Sequence, residues 1–342
     1  MAGPEDLELH VTGIADDLLS QEYSPYEMFG SEGLKAARAD AELVLTVLED
    51  LTSGAPRDYV QRQLAFLYEA MRLRGLSEDH FLYLLRATSQ RNNASSLDDL
   101  ESIADWLSRK KSPETWQPAE GEVEASEAVA ELVEVLIRGD APGTRAIAAR
   151  DLEDGNDPDQ VLDRLFRPAM YLVGKGWSQG TISVEEEHLA TATSLVMIVE
   201  MLAMSRLPPE TGRRAIVAMV ESNIHEVGPQ ALADALSRKG WHVTLMGPGT
   251  SVEQLAEEVS SELPDLLCLS VAMPHSVRAA RRTVTKVRDN LSDNAPVILV
   301  GGLSAVSYPD YIRRSLDVPV CSGGLAEALE MVDQAFPGQK DR

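Results

Sequence analysis

Residues 213–230 read RRAIVAMVESNIHEVGPQ, and the parsing of that stretch decides the fold. Ala215 to Val220 is an unbroken apolar run without polar alternation, the pattern of a strand buried on both faces. Polar residues then turn the chain, and a helical spacing begins near residue 229. Four further short apolar runs follow: WHVTLMG (241–247), DLLCLSVA (265–272), PVILVGG (296–302) and VPVCSGG (318–324). Helical stretches at 229–239, 252–262, 274–289 and 324–336 separate them.

Near-continuous apolar strands alternating with helices predict a Rossmann-like α/β domain over 213–338 with a five-stranded parallel sheet. Ligands of such sheets sit outside the carboxyl ends of the strands. Three features fall at those ends: the loop holding His225, the run Ser270-Val271-Ala272, and Gly301-Gly302. The first turn has no G-x-G-x-x-G, which removes the main mark of a dinucleotide site.

Upstream the rhythm is helical. Helices are predicted near 124–139, 142–154, 158–176 and 183–205, joined by short loops, which is a four-helix bundle over 121–208. Pro142 suits a first helical turn, Gly180 ends a turn before the last helix, and RLPPETGRR (206–214) is hinge-like. Residues 1–115 are predicted as a separate all-α domain, with Ser77 and Ser96 as helix N-caps. The prolines and glycine of KKSPETWQPAEGE (110–122) mark a linker.

The formal net charge is −24, concentrated in the first two thirds of the chain. Such a surface repels phosphate backbones and anionic membranes. The basic stretch Arg278 to Arg288 has the spacing of a solvated helix face. Direct nucleic-acid and membrane partners are therefore not expected. Two cysteines, Cys268 and Cys321, make neither a disulfide framework nor a zinc site, and both sit in or beside apolar runs. The start MAGPEDLELH lacks the pattern of a signal peptide, and no apolar run reaches the roughly 18 residues of a membrane span. The expectation is a cytoplasmic protein.

His225 lies in Asn223-x-His225-x-x-Gly228. A turn histidine bonded to a carbonyl is one use of that residue; metal ligation from the ligand-binding edge of the sheet is the other. With Ser270-x-Ala272 and Gly301-Gly302 following in order, the pattern resembles the cobalamin-binding Rossmann domain, whose signature is Asp-x-His-x-x-Gly, a serine motif and Gly-Gly. The resemblance implies that His225 ligates cobalt from below and that the displaced nucleotide tail runs past Ser270 and the glycines. Asn223 replaces the family's aspartate and implies a weaker cobalt–histidine bond. Ala272 departs from the commoner types at its position.

The bundle segment carries a second motif. Trp177 is followed by Glu187-His188 with nine residues between. This resembles the W-x9-E-H cap of the CarH-type photoreceptors, and the likeness covers about residues 121–338. It implies adenosylcobalamin between bundle and sheet, with Trp177 over the adenosyl group and Glu187 beside it. It further implies that His188 ligates cobalt from above after light, changing the assembly of a homo-oligomer or its contact with a protein partner. A core tryptophan and a solvated first helical turn are the alternative uses of Trp177 and Glu187-His188. A corrinoid methyl carrier, which pairs the same two modules, is the alternative function. Residues 1–120 are acidic and helical, unlike the DNA-binding domain of those repressors. With His80 on an aromatic helical stripe, they resemble the globin-like domain of photocobilins. That implies noncovalent biliverdin, with haem through His80 or a plain interaction domain as alternatives. His10 is assigned nothing; His242 opens a strand, and His275 could line the pocket.

Overall fold

The computed structural model describes residues 11–16, 25–52, 54–73, 75–91 and 126–337. His10, Ser96 and the linker at 110–122 lie outside the described residues. The chain divides into two compact units, Met1–Trp116 and Gln117–Arg342.

The first unit is helical throughout its described residues. Its main helices are α1 (Gly33–Thr52), α2 (Arg57–Leu73) and α3 (Glu78–Arg91). Ser77 caps α3, its Oγ accepting from the His80 backbone N–H at 3.2 Å. The core closes on Tyr26, Leu45, Leu48, Tyr59, Leu64, Phe81 and Leu84.

The second unit opens with the bundle: α4 (Glu127–Ile137), α5 (Ala141–Glu153), α6 (Arg167–Ser178) and α7 (Val184–Met204). The third predicted helix is helical from Pro158 but changes to a π turn at Leu162–Phe166 before continuing as α6. Leu132, Leu136, Ile147, Phe166, Val173 and Ile198 form the bundle core. Burial of each such side chain stabilises by roughly 1.5–3 kcal/mol. Ser183 starts α7 through a capping box, its Oγ accepting from Glu186 N–H while Glu186 accepts from Ser183 N–H. Contrary to the sequence expectation, α7 is long and apolar enough by composition to cross a membrane. One face of it closes the bundle core, with Ala190, Met197, Ile198 and Met201 buried.

The sheet follows, with β1 (Arg214–Met219), α8 (Val227–Arg238), β2 (His242–Met246), α9 (Val252–Glu262), β3 (Leu266–Ser270), α10 (Val277–Leu291), β4 (Val297–Gly301), α11 (Pro309–Leu316) and α12 (Leu325–Ala335). The strands are parallel in the order β2-β1-β3-β4. Four strands form instead of the predicted five. The last apolar run contributes only a bridge, Val300 to Val320. Pro319 has no N–H to extend that ladder, and the chain turns away at once through Gly323-Gly324.

Register aligns the ends that matter: Met219 pairs with Ser270, and Ser270 with Gly301. The order reverses between β1 and β3, the switch point where doubly wound sheets leave a crevice for ligands. Bundle and sheet domain share one unit because α8 faces both ways. Ala231 and Val227 join the bundle core, while Ala235 and Leu236 join the sheet core.

Candidate functional site

The loop after β1 is built around a buried amide. Asn223 is fully buried. Its Nδ2 donates to the Ser270 carbonyl at 2.8 Å and lies 3.3 Å from Ser270 Oγ. Its Oδ1 accepts from the His225 backbone N–H at 3.1 Å and faces His225 Nδ1 at 3.1 Å. A backbone carbonyl can only accept, so the Ser270 contact fixes which end of the amide points where. Oδ1 therefore faces the imidazole, Nδ1 carries the proton, and Nε2 keeps its lone pair. Ser222 supports the turn from the left-handed region, at φ 68°.

His225 keeps accessible surface, but the cleft around it is crowded enough that burial lowers its pKa. Glu187, across the cleft on α7, acts in the opposite direction. The net shift favours the neutral, ligating form of the ring. His275 packs near the same loop: burial lowers its pKa, a hydrogen bond to the Ser222 backbone raises it, and the charge of His225 opposes protonation. The sequence placed His275 near a pocket without a role; the structure makes it a brace of the His225 turn.

On the bundle side, Trp177 ends α6 with 43% of its surface exposed. A Cβ on Gly176 before it would crowd the Ile182 side chain. Glu187 accepts from Thr191 Oγ1 at 2.9 Å and lies 3.7 Å from His188 Nδ1. His188 points its Nδ1 at the Val184 carbonyl, 2.6 Å away, so this ring too has its Nδ1 proton tied to an oxygen and its Nε2 bare. Of the pair, Glu187 is the group whose charge reaches His225.

The glycines divide. Gly302 sits at φ +99°, and a Cβ there would meet the Val271 backbone at 2.7 Å. Gly228 and Gly301 are different. A Cβ on Gly228 would meet nothing within 4 Å, and on Gly301 only Cys321 at 3.8 Å. The chain's own packing does not demand glycine at those two positions, as fits a surface approached by a ligand. Ala272 holds Ser304 through its carbonyl, at 3.0 Å from Ser304 Oγ.

Sequence reasoning missed the contacts that hold the cap in place. Asp163, on the π turn, accepts from Leu325 and Ala326 N–H at 2.8 and 2.9 Å and so caps α12. A Cβ on Gly324 would crowd the Asp163 carboxylate. Asp159 pairs with Arg238 of α8 at 2.5 Å. Gly323-Gly324 before a helix was the one available signal.

In the first unit, His80 is 6% exposed and meets Tyr26 edge to face at 5.1 Å. Its Nε2 is buried with no hydrogen-bond partner, and burial lowers its pKa against the opposing charge of Asp40. Among the described residues, His, Cys, Asp and Glu side chains nowhere gather in threes around a common point.

Two family models match, both described as a B12 binding domain, over residues 213–330 and 128–195. Among curated proteins the chain is similar to the HTH-type transcriptional repressor CarH of Myxococcus xanthus, 30% identical over 157 residues. That match takes in 46% of this chain and 52% of the repressor. It is also similar to trimethylamine corrinoid protein 2 of Methanosarcina acetivorans, 24% identical over 156 residues, 43% of this chain and 69% of that one. The chain thus spans about half the length of the repressor. The solved monomethylamine corrinoid protein of Methanosarcina barkeri shares the fold, with a TM-score of 0.52 at 17% identity, over 62% of this chain and all of that one.

Proposed function

The chain belongs to the CarH-like cobalamin-binding family, and on that premise we propose that it is a light sensor using adenosylcobalamin held between the bundle and the sheet. The cofactor supplies a cobalt–carbon bond that light can break. His225 would hold the metal through Nε2, with Asn223 fixing its tautomer. Trp177, part-exposed at the end of α6, would cover the adenosyl group and keep water from it. Ser270, Ala272, Gly301 and Gly302 line the path of the nucleotide tail, and Gly228 leaves room beside the lower ligand. Glu187 holds its carboxylate over the lower histidine. His188, its Nδ1 held by the Val184 carbonyl, would be the second histidine available to the metal in the lit form.

One observation supports this above the others: two histidines from different modules each have Nδ1 tied to an oxygen acceptor and Nε2 bare. Metal-ligating histidines are oriented in this way. The output is a change in self-association or in contact with a protein partner, without enzymatic turnover. Biliverdin in the first unit belongs to the same proposal. Support comes from the buried, unpartnered Nε2 of His80; a bilin there is noncovalent, since both cysteines lie in the sheet domain.

The competing reading is a corrinoid methyl carrier, favoured by the likeness to the trimethylamine corrinoid protein. Absorption spectra separate them. Protein purified in the dark, loaded with adenosylcobalamin and biliverdin and desalted, is recorded before and after green light. The photoreceptor converts to a stable bis-histidine spectrum that His188→Ala abolishes. A methyl carrier retains corrinoid with an exchangeable upper face and no such dependence. A long-wavelength band that survives desalting reports the bilin. Loss of all corrinoid on desalting refutes both.

A further inference from the structure

β2 is an outer strand of the sheet, and it is an open one. Its residues run from part-buried to exposed, whereas β1 is buried after its first residue and β3 before its last. The His242 backbone N–H donates to the Arg213 carbonyl at 2.9 Å. Peptide groups turn alternately to the two sides of a strand, so His242, Thr244 and Met246 serve β1 while Val243 and Leu245 present N–H and C=O outward. Among the described residues no second strand pairs with them. The open stretch ends at Gly247, whose carbonyl accepts from Thr250 Oγ1 at 2.8 Å.

The opposite margin of the sheet is closed. There Val320 bridges to Val300, and Pro319 beside it has no N–H to offer. Exposed edges are blunted by lysine, proline or a bulge. β2 reads His-Val-Thr-Leu-Met and pairs with β1 in unbroken register, so it carries none of these.

A groove of about 570 Å³ runs beside this edge, lined by Met246 and Gly249 at the strand end and by Gln254, Glu257, Glu258 and Ser261 along α9. The carboxylates of α9 fall into two sets. Glu253 pairs with Lys286 at 3.2 Å, and Glu262 pairs with Arg214. Glu257 and Glu258, in the groove, have no ion-pair partner among the described residues. Val243 and Leu245 point to the other face, against the core shared with α8, and stay part-exposed. A segment lying along β2 therefore meets two environments in alternation: carboxylates on the α9 side, and Val243 and Leu245 on the other.

We infer that the β2 edge is a docking site for a protein partner, which adds to the sheet an extended segment of alternating basic and apolar residues. Strand addition of this kind takes affinity from main-chain hydrogen bonds and specificity from alternate side chains. A second copy of this chain fits poorly, because β2 pairing antiparallel with β2 would bring the unpaired carboxylates of both α9 helices to one seam, like charge against like. The site needs no cofactor, so its test is separate from that of the cobalamin reading.

The test uses the full chain and an array of peptides of about six to ten residues, the length of a strand, with Lys or Arg alternating with Val, Ile, Leu or Thr. The tightest binder is then followed by fluorescence anisotropy. Its counterpart with Glu at the basic positions is expected to bind about 10-fold more weakly or worse, and Glu257→Lys with Glu258→Lys to reverse that preference. Methylating alternate peptide nitrogens is expected to abolish binding in one phase and to be tolerated in the other, since only one set faces β2. Amide exchange at Val243 and Leu245, followed by NMR, should slow by about 10-fold or more at saturating peptide. An array without a binder overturns the inference. So does binding that survives methylation in both phases, which would be charge attraction alone, and binding that leaves exchange at Val243 and Leu245 unchanged. Protection of those two amides that grows with protein concentration, in the absence of peptide, would make a second copy the occupant and overturn it as well.

Discussion

Asn223 has two halves, and two substitutions separate them. Its Nδ2 satisfies the Ser270 carbonyl and approaches Ser270 Oγ, while its Oδ1 serves the backbone and ring nitrogens of His225. Asn223→Asp keeps the acceptor half and removes both donors, setting a carboxylate oxygen against a carbonyl at a fully buried position. Leaving such a group unsatisfied costs roughly 1–3 kcal/mol. Asn223→Ala removes both halves and adds a small void. Urea unfolding of the apoprotein is expected to show both variants less stable than wild type by roughly 1–3 kcal/mol, the alanine at the upper end. Corrinoid retention divides them. The aspartate still orients His225 and holds cobalamin, whereas the alanine frees the ring and lowers affinity by about 10–100-fold, the usual cost of losing a ligand's supporting partner. If Asn223→Asp unfolds with wild-type stability, the Ser270 contact is not what asparagine contributes. If Asn223→Ala retains cobalamin as wild type does, His225 is not positioned by this amide, or does not ligate.

Gly302→Ala is expected to cost roughly 2–5 kcal/mol, combining a conformation that only glycine adopts readily with overpacking against Val271; a wild-type urea midpoint would refute the geometry. The thiols of Cys268 and Cys321, whose pKa values burial pushes up to about 12 and about 11, should not react with a thiol reagent at pH 8 until urea unfolds the sheet domain; stoichiometric labelling of the native protein would contradict this. Burial lowers the pKa of His80, so the folded first unit binds fewer protons than its unfolded chain. That contribution to stability is present above the ordinary histidine pKa of about 6.5 and is lost as pH falls through it. The unfolding transition of the first unit should therefore weaken between pH 7.5 and 5.5, less so in His80→Gln; an unchanged pH dependence in that variant would show that His80 is not the titrating group.

The sequence by itself determined the secondary structure and the edge of the sheet where the site lies. Both follow from local rules. Unbroken apolar runs such as Ala215–Val220 must be buried on both faces, and the crossover rule brings the ends of β1, β3 and β4 to one side. Trp177, Glu187, His188 and His225 were singled out because their spacing resembles a known motif. Tertiary structure decided what no local pattern encodes. The fifth strand shrank to a bridge, because a proline at position 319 meets a chain that must turn at once into α12. The amide of Asn223 proved to be a fixed part of the site, because Ser270, 47 residues away in sequence, presents it a carbonyl. Asp163 reaches a helix 162 residues on in the chain, a contact set by how the bundle packs on the sheet domain. The apolar outer row of α7 lies in plain sight in the sequence, but only the bundle shows which of its two apolar faces is the core. These are long-range contacts, set by where the elements pack, and local sequence rules do not reach that far.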